Sequence, residues 1–259
     1  MSLASASVTV RSTRPLLIEN VSKTYGDGRS AIAALDRLTL EIKDREFVCL
    51  LGASGCGKST LLNLIAGIYH LDNGAIDTGG RRVGMVFQEP ALFPWLTVAR
   101  NIDLAMRLQG APAESRLQRR DDLLGLVHLE GFGNRRPHEL SGGMQQRAAL
   151  ARALAQNSEL LLMDEPFGAL DAMTRDSLHD ELERIWLGSD LTIVFVTHNV
   201  REAVRLGNRV VLLSSRPGRV VAEFEVDIER PRRIDSEAVA RMAAVITDRL
   251  REEVRRHGR

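Results

Sequence analysis

The sequence has few of the residues that mark secreted or membrane-spanning proteins. It contains two cysteines, Cys49 in an apolar run and Cys56 in a glycine-rich stretch, which form no disulfide framework. This cysteine usage predicts a reducing compartment. The longest apolar runs, such as FVCLL and TIVFV, are far shorter than the roughly 20 residues that cross a bilayer. We therefore expect no membrane-spanning helix.

An excess of charge of one sign is also missing. Lys and Arg number 35 and Asp and Glu 34, so the formal net charge is +1 and no basic field recruits nucleic acid. An anionic ligand would need a local site. With 259 residues, 44% of them hydrophobic, the chain can form one large globular domain or a domain with an insertion.

Short apolar runs alternate with helical patterns along much of the chain. Runs that are apolar on both faces, such as 160–163 and Thr192–Val196, predict a mostly parallel sheet covered by helices on both sides. Between residues 97 and 157 the strand pattern stops, which indicates a helical insertion in an α/β domain. We therefore divide the chain into a mobile tail (1–14), a core (15–96 and 158–228), a helical subdomain (97–157) and a C-terminal helix (229–259).

The C-terminal segment has apolar residues at three- and four-residue spacings, which predicts an amphipathic helix. The stripe consists of Val239, Met242, Ile246, Leu250 and Val254. We expect it to pack on the parent domain, and a helix that binds a partner or a membrane surface is the alternative.

A glycine-rich stretch follows the apolar run FVCLL and precedes a helical pattern. This phosphate loop matches G-x-x-x-x-G-K-[ST] and consists of Gly52, Ala53, Ser54, Gly55, Cys56, Gly57, Lys58, Ser59 and Thr60. Glycines let successive backbone N–H groups point into one concavity, and the helix start adds its positive end, so the stretch predicts a cradle for nucleotide phosphates. Lys58 would reach the β- and γ-phosphates, and the Ser59 hydroxyl would bind Mg²⁺.

Two further apolar runs end in residues that carry chemistry. Asp164 and Glu165 follow the run 160–163. Because open α/β sheets bind ligands at the carboxyl ends of their strands, Asp164 suits the shell of a Mg²⁺ ion and Glu165 suits the general base for an attacking water. His198 follows the run 192–197, where an imidazole can contact the γ-phosphate, although a lone histidine there is more often structural.

The stretch LSGGMQQR, residues 140–147, resembles the signature of ATP-binding cassette (ABC) ATPases. The phosphate loop, Gln88 after a strand, this signature, the Asp-Glu pair, the stretch 169–171 and His198 occur in the order of that family. The resemblance covers roughly residues 16–226. It implies an α/β fold with a P-loop NTPase (RecA-like) core and parallel sheet, a small antiparallel β subdomain and a helical insertion. It also implies ATP hydrolysis, with ATP and Mg²⁺ as cofactors.

The resemblance further implies a homodimer in which two copies meet head to tail with ATP between them. Ser141 is a good N-cap, so Ser141, Gly142 and Gly143 form an anion-binding helix start. With Met144 they would close on the γ-phosphate held by the other copy. Met144 stands where many family members have glutamine, and its thioether cannot donate a hydrogen bond.

By the same resemblance several more residues have roles at the nucleotide. Tyr25 would stack on adenine, Gln88 would complete the Mg²⁺ shell and sense the γ-phosphate, and Asp171 would organise the dimer seam. The catalytic set would be Glu165, His198, Lys58 and Gln88.

A single cassette without membrane segments implies the energy-coupling subunit of a membrane transporter. Its partners would be transmembrane permease subunits and, indirectly, a periplasmic or surface solute-binding protein, and its place the cytoplasmic face of the inner membrane. QEPALFPWLTV and SRPGR are similar to the nitrate, taurine, alkanesulfonate and bicarbonate importer group. An importer ATPase for another small organic solute is the alternative. A soluble ABC ATPase and a non-ABC P-loop kinase or GTPase fit the sequence less well.

The loop QEPALFPWLT, residues 88–97, combines two prolines with aromatic residues, which make up only 4% of the chain. We hypothesise that Leu92, Phe93 and Trp95 line a cleft that receives a short cytoplasmic helix of the membrane subunit. The alternative is that these side chains close the core of the helical subdomain.

Overall fold

A computed structural model of the protein describes residues 14–257, so the predicted tail lies outside the described residues except for Arg14. The strands are β1 (Leu16–Tyr25), β2 (Ile32–Ile42), β3 (Phe47–Leu51), β4 (Asn73–Asp77), β5 (Val83–Val86), β6 (Leu160–Asp164), β7 (Thr192–Val196), β8 (Arg209–Leu213) and β9 (Val220–Glu225). The helices are α1 (Lys58–Ile65), α2 (Val98–Leu108), α3 (Ala113–Leu126), α4 (Gly142–Leu154), α5 (Ala172–Leu187), α6 (Val200–Leu206) and α7 (Glu237–His257). Within the described range, no helix is both long and apolar enough to span a bilayer.

The main sheet has six strands in the order β5-β6-β7-β3-β8-β9. The first five are parallel, and β9 is antiparallel to β8. Side chains of β3 alternate between two cores: Phe47 and Cys49 point to the face covered by α4, α5 and α6, whereas Val48 and Leu50 point to the face covered by α1. Because both faces are covered, β3, β6 and β7 are buried along their whole length. The predicted parallel sheet is confirmed.

A second, antiparallel sheet has the strand order β2-β1-β4 and shares the core on the α1 face. It is the small β subdomain that the family resemblance implied. The pairing of β1 with β2 slips three times between Ile18 and Thr24. These irregularities disturb the two-residue alternation of buried side chains, which is why the apolar pattern alone did not locate the two strands.

The segment between residues 97 and 157 contains α2, α3 and α4 and no strand among its residues, all of which are described. Thr97 begins α2 because its side chain accepts a hydrogen bond from the Arg100 backbone N–H. Helix α2 packs on both α3 and α4. The subdomain bounds proposed from the sequence remain a prediction.

Helix α7 packs against α6, as the apolar stripe predicted. Val239 and Ile246 are fully buried, and Met242 and Leu250 lie against the same core. Val254, the last residue of the predicted stripe, is 44% exposed. The prediction was wrong for Val254, because in the last turn of the helix the buried position is taken by Glu253, which is 3% exposed.

Candidate nucleotide site and dimer surface

The carboxyl edge of the main sheet collects the residues that the sequence singled out. Strand β3 leads into the phosphate loop, β6 ends at Asp164, and β7 leads to His198. These strands are parallel neighbours, with Asp164 opposite Val196 and Val196 opposite Leu50. Loops that follow adjacent parallel strands share one edge, so the three segments form one site.

The phosphate loop surrounds the amino group of Lys58. Lys58 is buried, and its Nζ donates to the carbonyl oxygens of Gly52 at 2.9 Å and Ala53 at 3.0 Å. Gly57 precedes helix α1 with a φ of 98°, a conformation that favours glycine. The ammonium group and the first N–H groups of α1 therefore lie together, as an anionic phosphate chain requires.

The phosphate loop is held from behind by two backbone segments. A Cβ on Gly57 would lie 2.7 Å from the Ala34 carbonyl oxygen, and a Cβ on Gly218 would lie 2.3 Å from the Cys56 carbonyl oxygen. The Arg216 side chain also donates from Nε to the Gly55 carbonyl oxygen at 3.1 Å. Only glycine allows these close approaches, so the loop has a fixed shape before a ligand binds.

Asp164 is a buried carboxyl group at the end of β6. Burial raises its pKa above the ordinary value, and a hydrogen bond from Ser59 opposes part of that rise. A cation beside Asp164 would offset the cost of its buried charge. The oxygen atoms of Asp164, Ser59 and Gln88 are the kind of ligand that Mg²⁺ prefers. Residues 14–257 contain no cluster of three His, Cys, Asp or Glu side chains that forms a metal cage, and Mg²⁺ sites on nucleotides need none.

Glu165 and His198 form a pair at the same edge, with 2.9 Å between Glu165 Oε2 and His198 Nδ1. A carboxylate only accepts, so Nδ1 donates and the Nε2 atom of the largely exposed imidazole is left for a ligand. Glu165 has a φ of 45°, in the left-handed region that a side chain rarely adopts. The strained backbone therefore occurs at the residue whose carboxylate meets His198.

The signature begins helix α4 as the sequence predicted. Ser141 is the N-cap and accepts from the Met144 N–H at 3.3 Å. A Cβ on Gly143 would lie 3.1 Å from Leu170, so the helix start packs closely on the segment before α5. Met144 packs partly buried against the core. Its contact with nucleotide across a dimer remains a prediction.

Asp171 begins helix α5 as its N-cap. Its carboxylate accepts from the Thr174 N–H at 3.0 Å and from the Thr174 hydroxyl at 2.7 Å. The backbone hydrogen bond from Thr174 is the main cause of the lowered pKa of this exposed carboxyl group. Asp171 is therefore ionised and oriented at the surface, as a group in a dimer seam would be.

No hydrogen bond or ion pair within residues 14–257 joins the phosphate loop to the signature. Each is a helix start, where the first N–H groups have no acceptor within the helix. The phosphate loop and the signature are therefore two separate helix starts within the described residues.

Gln88 lies two residues beyond β5 and is exposed. Its neighbour Phe87 accepts a hydrogen bond from Gln146 of helix α4 at 3.1 Å. Strand β5 pairs with β6, so Gln88 lies near the level of the Asp-Glu pair. The signature helix is thus tied to the segment that leads from the nucleotide edge into the loop of residues 88–97.

The backbone of the loop 88–97 is fixed by two side chains. The buried amide of Asn101 accepts from the Phe93 N–H at 2.8 Å and donates to the Thr97 carbonyl oxygen at 3.0 Å. Arg152 of the signature helix donates to the Ala91 carbonyl oxygen at 2.6 Å. These bonds hold the loop backbone without a contribution from a partner.

The side chains of this loop divide between surface and core. Trp95 is 67% exposed and Phe93 38% exposed, and their rings lie 5.5 Å apart. Leu92 instead packs against the main core. The core-closing interpretation therefore describes Leu92, whereas the two aromatic rings are available to a partner.

Tyr25 ends β1 beside the phosphate loop. Its hydroxyl lies 3.4 Å from the Thr60 hydroxyl, and its ring meets the edge of Tyr69 at a centroid distance of 6.1 Å. The ring is partly exposed. Its stacking on adenine remains a prediction.

The polar residues that hold these segments in place were not predicted from the sequence. They are Asn101, Gln146, Arg152, Thr197, Glu202, His179 and Arg216. Most lie in helices, where a polar residue normally marks the solvent face. The one available signal was a polar residue at an apolar position of a helical pattern, as at Gln146 within α4.

The fold and the edge residues together define a P-loop protein that hydrolyses nucleotides. Comparison with known proteins specifies the class further. The profile of the ABC transporter family matches residues 35–168. The chain belongs to this family and is an ATPase of the ABC type.

Named relatives cover most of the chain. The taurine import ATP-binding protein TauB of Rhizobium johnstonii is 46% identical, over 86% of this chain and 88% of its own. The nitrate import ATP-binding protein NrtD of a Synechocystis strain is 44% identical, over 82% of this chain and 83% of its own. A solved dimer of the ATP-binding cassette MJ0796, in a post-hydrolysis state with ADP and Pi, matches with a TM-score of 0.75 and 35% identity, over 83% of this chain and 100% of its own.

Proposed function

We propose that this chain is the ATP-hydrolysing subunit of a membrane importer for a small anionic solute. The family match and the two named import relatives support this assignment. Taurine and nitrate both carry an oxyanion group, which is the basis for the solute class. The specific solute would be chosen by the importer's other components, because the carboxyl edge, the signature and the loop 88–97 would serve the nucleotide, a second copy and a membrane partner.

The chemistry would follow from the carboxyl edge. Glu165 would accept the proton of the attacking water, and His198 would orient that carboxylate and contact the γ-phosphate. Lys58 and the N–H groups of the phosphate loop would hold the phosphate chain in line for attack. Mg²⁺, when bound, would supply positive charge to the β- and γ-phosphates. Ser59, Asp164 and Gln88 would hold it.

A second copy would complete the site. In a two-fold dimer the helix start at Ser141–Met144 would close on the ATP of the other copy, with Asp171 at the seam. The separation of the two anion sites within one chain supports this arrangement, as does the dimeric state of the cassette MJ0796. ATP would then be part of the interface, and its hydrolysis would open the dimer.

The membrane partner would bind at the loop 88–97. Phe93 and Trp95 offer exposed aromatic rings on a backbone that is already fixed. A short cytoplasmic helix of a permease subunit would pack there, which would place this chain on the cytoplasmic face of the inner membrane. A solute-binding protein would act on the outer side, without touching this chain.

The Glu165–His198 pair is the observation that carries the assigned reaction, and Glu165→Gln tests it. The amide cannot accept a proton, so we expect ATPase activity to fall about 100-fold or more while ATP binding persists. Glu159→Gln is the matched control, because Glu159 lies at the opposite end of β6 and its carboxylate pairs with Arg82, away from the reaction edge. Phosphate release by the purified chain measures both variants. Full activity in Glu165→Gln would disprove the assigned base.

A further inference from the structure

A buried polar network lies beneath the Glu165–His198 pair. It consists of Thr197, Glu202 of helix α6 and His179 of helix α5, all of which are buried. His179 Nε2 lies 2.7 Å from Glu202 Oε1, and the Thr197 hydroxyl donates to Glu202 Oε2. Both oxygens of this carboxylate are therefore occupied, one by each neighbour.

The directions of these hydrogen bonds are fixed by chemistry. The Glu202 carboxylate only accepts, so His179 carries its proton on Nε2 and Thr197 donates its hydroxyl proton. The Thr197 oxygen then accepts from the Asn199 N–H at 3.0 Å. This last bond closes a turn from Thr197 to Asn199, and His198 is the residue at the centre of that turn.

The network also borders the reaction edge directly. A small cavity of about 50 Å³ is lined by Glu165, Phe167, Thr197, His198 and Glu202. The ring of Phe167 meets the His179 imidazole edge to face at 5.0 Å. Phe167, which follows the Asp-Glu pair, thus contacts the His179 imidazole directly. The turn that contains His198 is connected to the same imidazole through Glu202.

Stability alone does not account for this arrangement. Burying an acid and an imidazole costs free energy that an apolar pair of similar volume would not. His179 Nδ1 is buried without a hydrogen-bond partner, with Asp176 Oδ1 3.9 Å away. What the network supplies instead is a defined orientation for the Thr197 hydroxyl.

We propose that His179 and Glu202 are positioning residues for ATP hydrolysis, which act through the Thr197 hydroxyl to hold His198 against Glu165. The inference rests on the proposed function, because it assigns a role within the same reaction. His179 and Glu202 touch no reacting atom. Their loss should lower the rate of the chemical step and leave ATP binding at the phosphate loop unchanged.

Two pairs of variants of the full chain test this proposal by steady-state ATP hydrolysis. Thr197→Val keeps the side-chain shape and removes the hydroxyl, and His179→Ala removes the imidazole. We expect each to lower kcat about tenfold with KM within about twofold of wild type. Thr197→Ser and His179→Gln keep a donor in nearly the same place, so both should retain kcat within about twofold.

A double-mutant cycle separates positioning from general loss of structure. Because His179 acts through His198, adding His179→Ala to His198→Ala should change the residual single-turnover rate less than about twofold. Another tenfold loss in that background would overturn the proposal, as would a wild-type kcat in Thr197→Val. His128→Ala is the control. It removes an exposed imidazole that bonds to Ser177 of helix α5, the helix that also contains His179, and its kcat should match wild type. A wild-type chain with no ATPase activity would instead refute the proposed function itself.

Discussion

The carboxyl edge of the main sheet and the loop of residues 88–97 differ in where they place their key side chains. At the edge, Lys58 and Asp164 are buried, and each has a hydrogen-bond partner within the same chain. In the loop, the aromatic rings of Phe93 and Trp95 are exposed, although the loop backbone is hydrogen-bonded to the side chains of Asn101 and Arg152. These two charged side chains of the edge are therefore buried where the nucleotide would react, whereas the aromatic side chains of the loop face solvent, where a partner can contact them.

The difference teaches that rigidity has a separate purpose in each region. A rigid phosphate loop keeps its donors in place, so that binding ATP needs little reorganisation. A rigid surface loop reduces the entropy lost when a partner binds. The two regions are joined by helix α4, because Gln146 bonds to Phe87 near the edge and Arg152 bonds to Ala91 in the loop.

The largest expected effect comes from disturbing the support of the phosphate loop. In Gly218→Ala the new Cβ would meet the Cys56 carbonyl oxygen at 2.3 Å, so one of two backbone segments must move. We expect a loss of about 2 kcal/mol of stability and at least tenfold weaker ATP binding. Thermal unfolding should show a melting temperature lower by about 4–8 °C.

Gly125→Ala is the matched control for this change. Gly125 lies within helix α3, and a Cβ there would have only an ordinary contact at 3.6 Å with Glu130. Alanine favours a helix over glycine by about 1 kcal/mol, so the variant should be as stable as wild type or more so. If Gly218→Ala bound ATP as well as Gly125→Ala does, the phosphate loop would not depend on its rear support.

The sequence predicted the chemistry of the edge better than its support. Gly52–Thr60, Asp164 and His198 follow apolar runs directly, so strand position and residue type were visible together. The partners His179 and Glu202 are 23 residues apart in two helices. Their meeting depends on how α5 and α6 pack on the sheet, which no local pattern encodes.

The loop was only partly predictable from the sequence, again because the direction of its side chains depends on packing. Two prolines showed that residues 88–97 leave regular structure, and the aromatic residues suggested a buried or bound surface. Which side chains face outward depends on Asn101, a polar residue that sequence reasoning would place at the surface of α2. Asn101 is buried and holds the backbone at Phe93 and Thr97, while Leu92 packs on the core and Trp95 is exposed.

An intermediate effect, confined to the membrane partner, is expected from Trp95→Ala. An exposed aromatic ring contributes little to the fold, so melting temperature and basal ATPase should stay at wild-type values. A central aromatic contact is worth about 2 kcal/mol in an interface, so assembly with the permease should weaken about thirtyfold. Co-purification with co-expressed membrane subunits measures this loss.

Leu92→Ala gives the opposite pattern and serves as the control for Trp95→Ala. Its side chain packs on the main core, so truncation should lower the melting temperature before it affects assembly. Unfolding of Trp95→Ala would show that this ring supports the fold. Normal assembly of Trp95→Ala with the permease would show that the ring is not a contact for that partner.

The smallest effect should come from Tyr25, which lies where the edge meets solvent. If its ring stacks on adenine, Tyr25→Ala loses about 1 kcal/mol of binding, and KM for ATP should rise about fivefold with kcat unchanged. Tyr25→Phe keeps the ring and loses only the hydroxyl that lies 3.4 Å from Thr60, so its KM should stay near wild type. A KM that rises equally in both variants would assign the contribution to the hydroxyl and remove the base-stacking role.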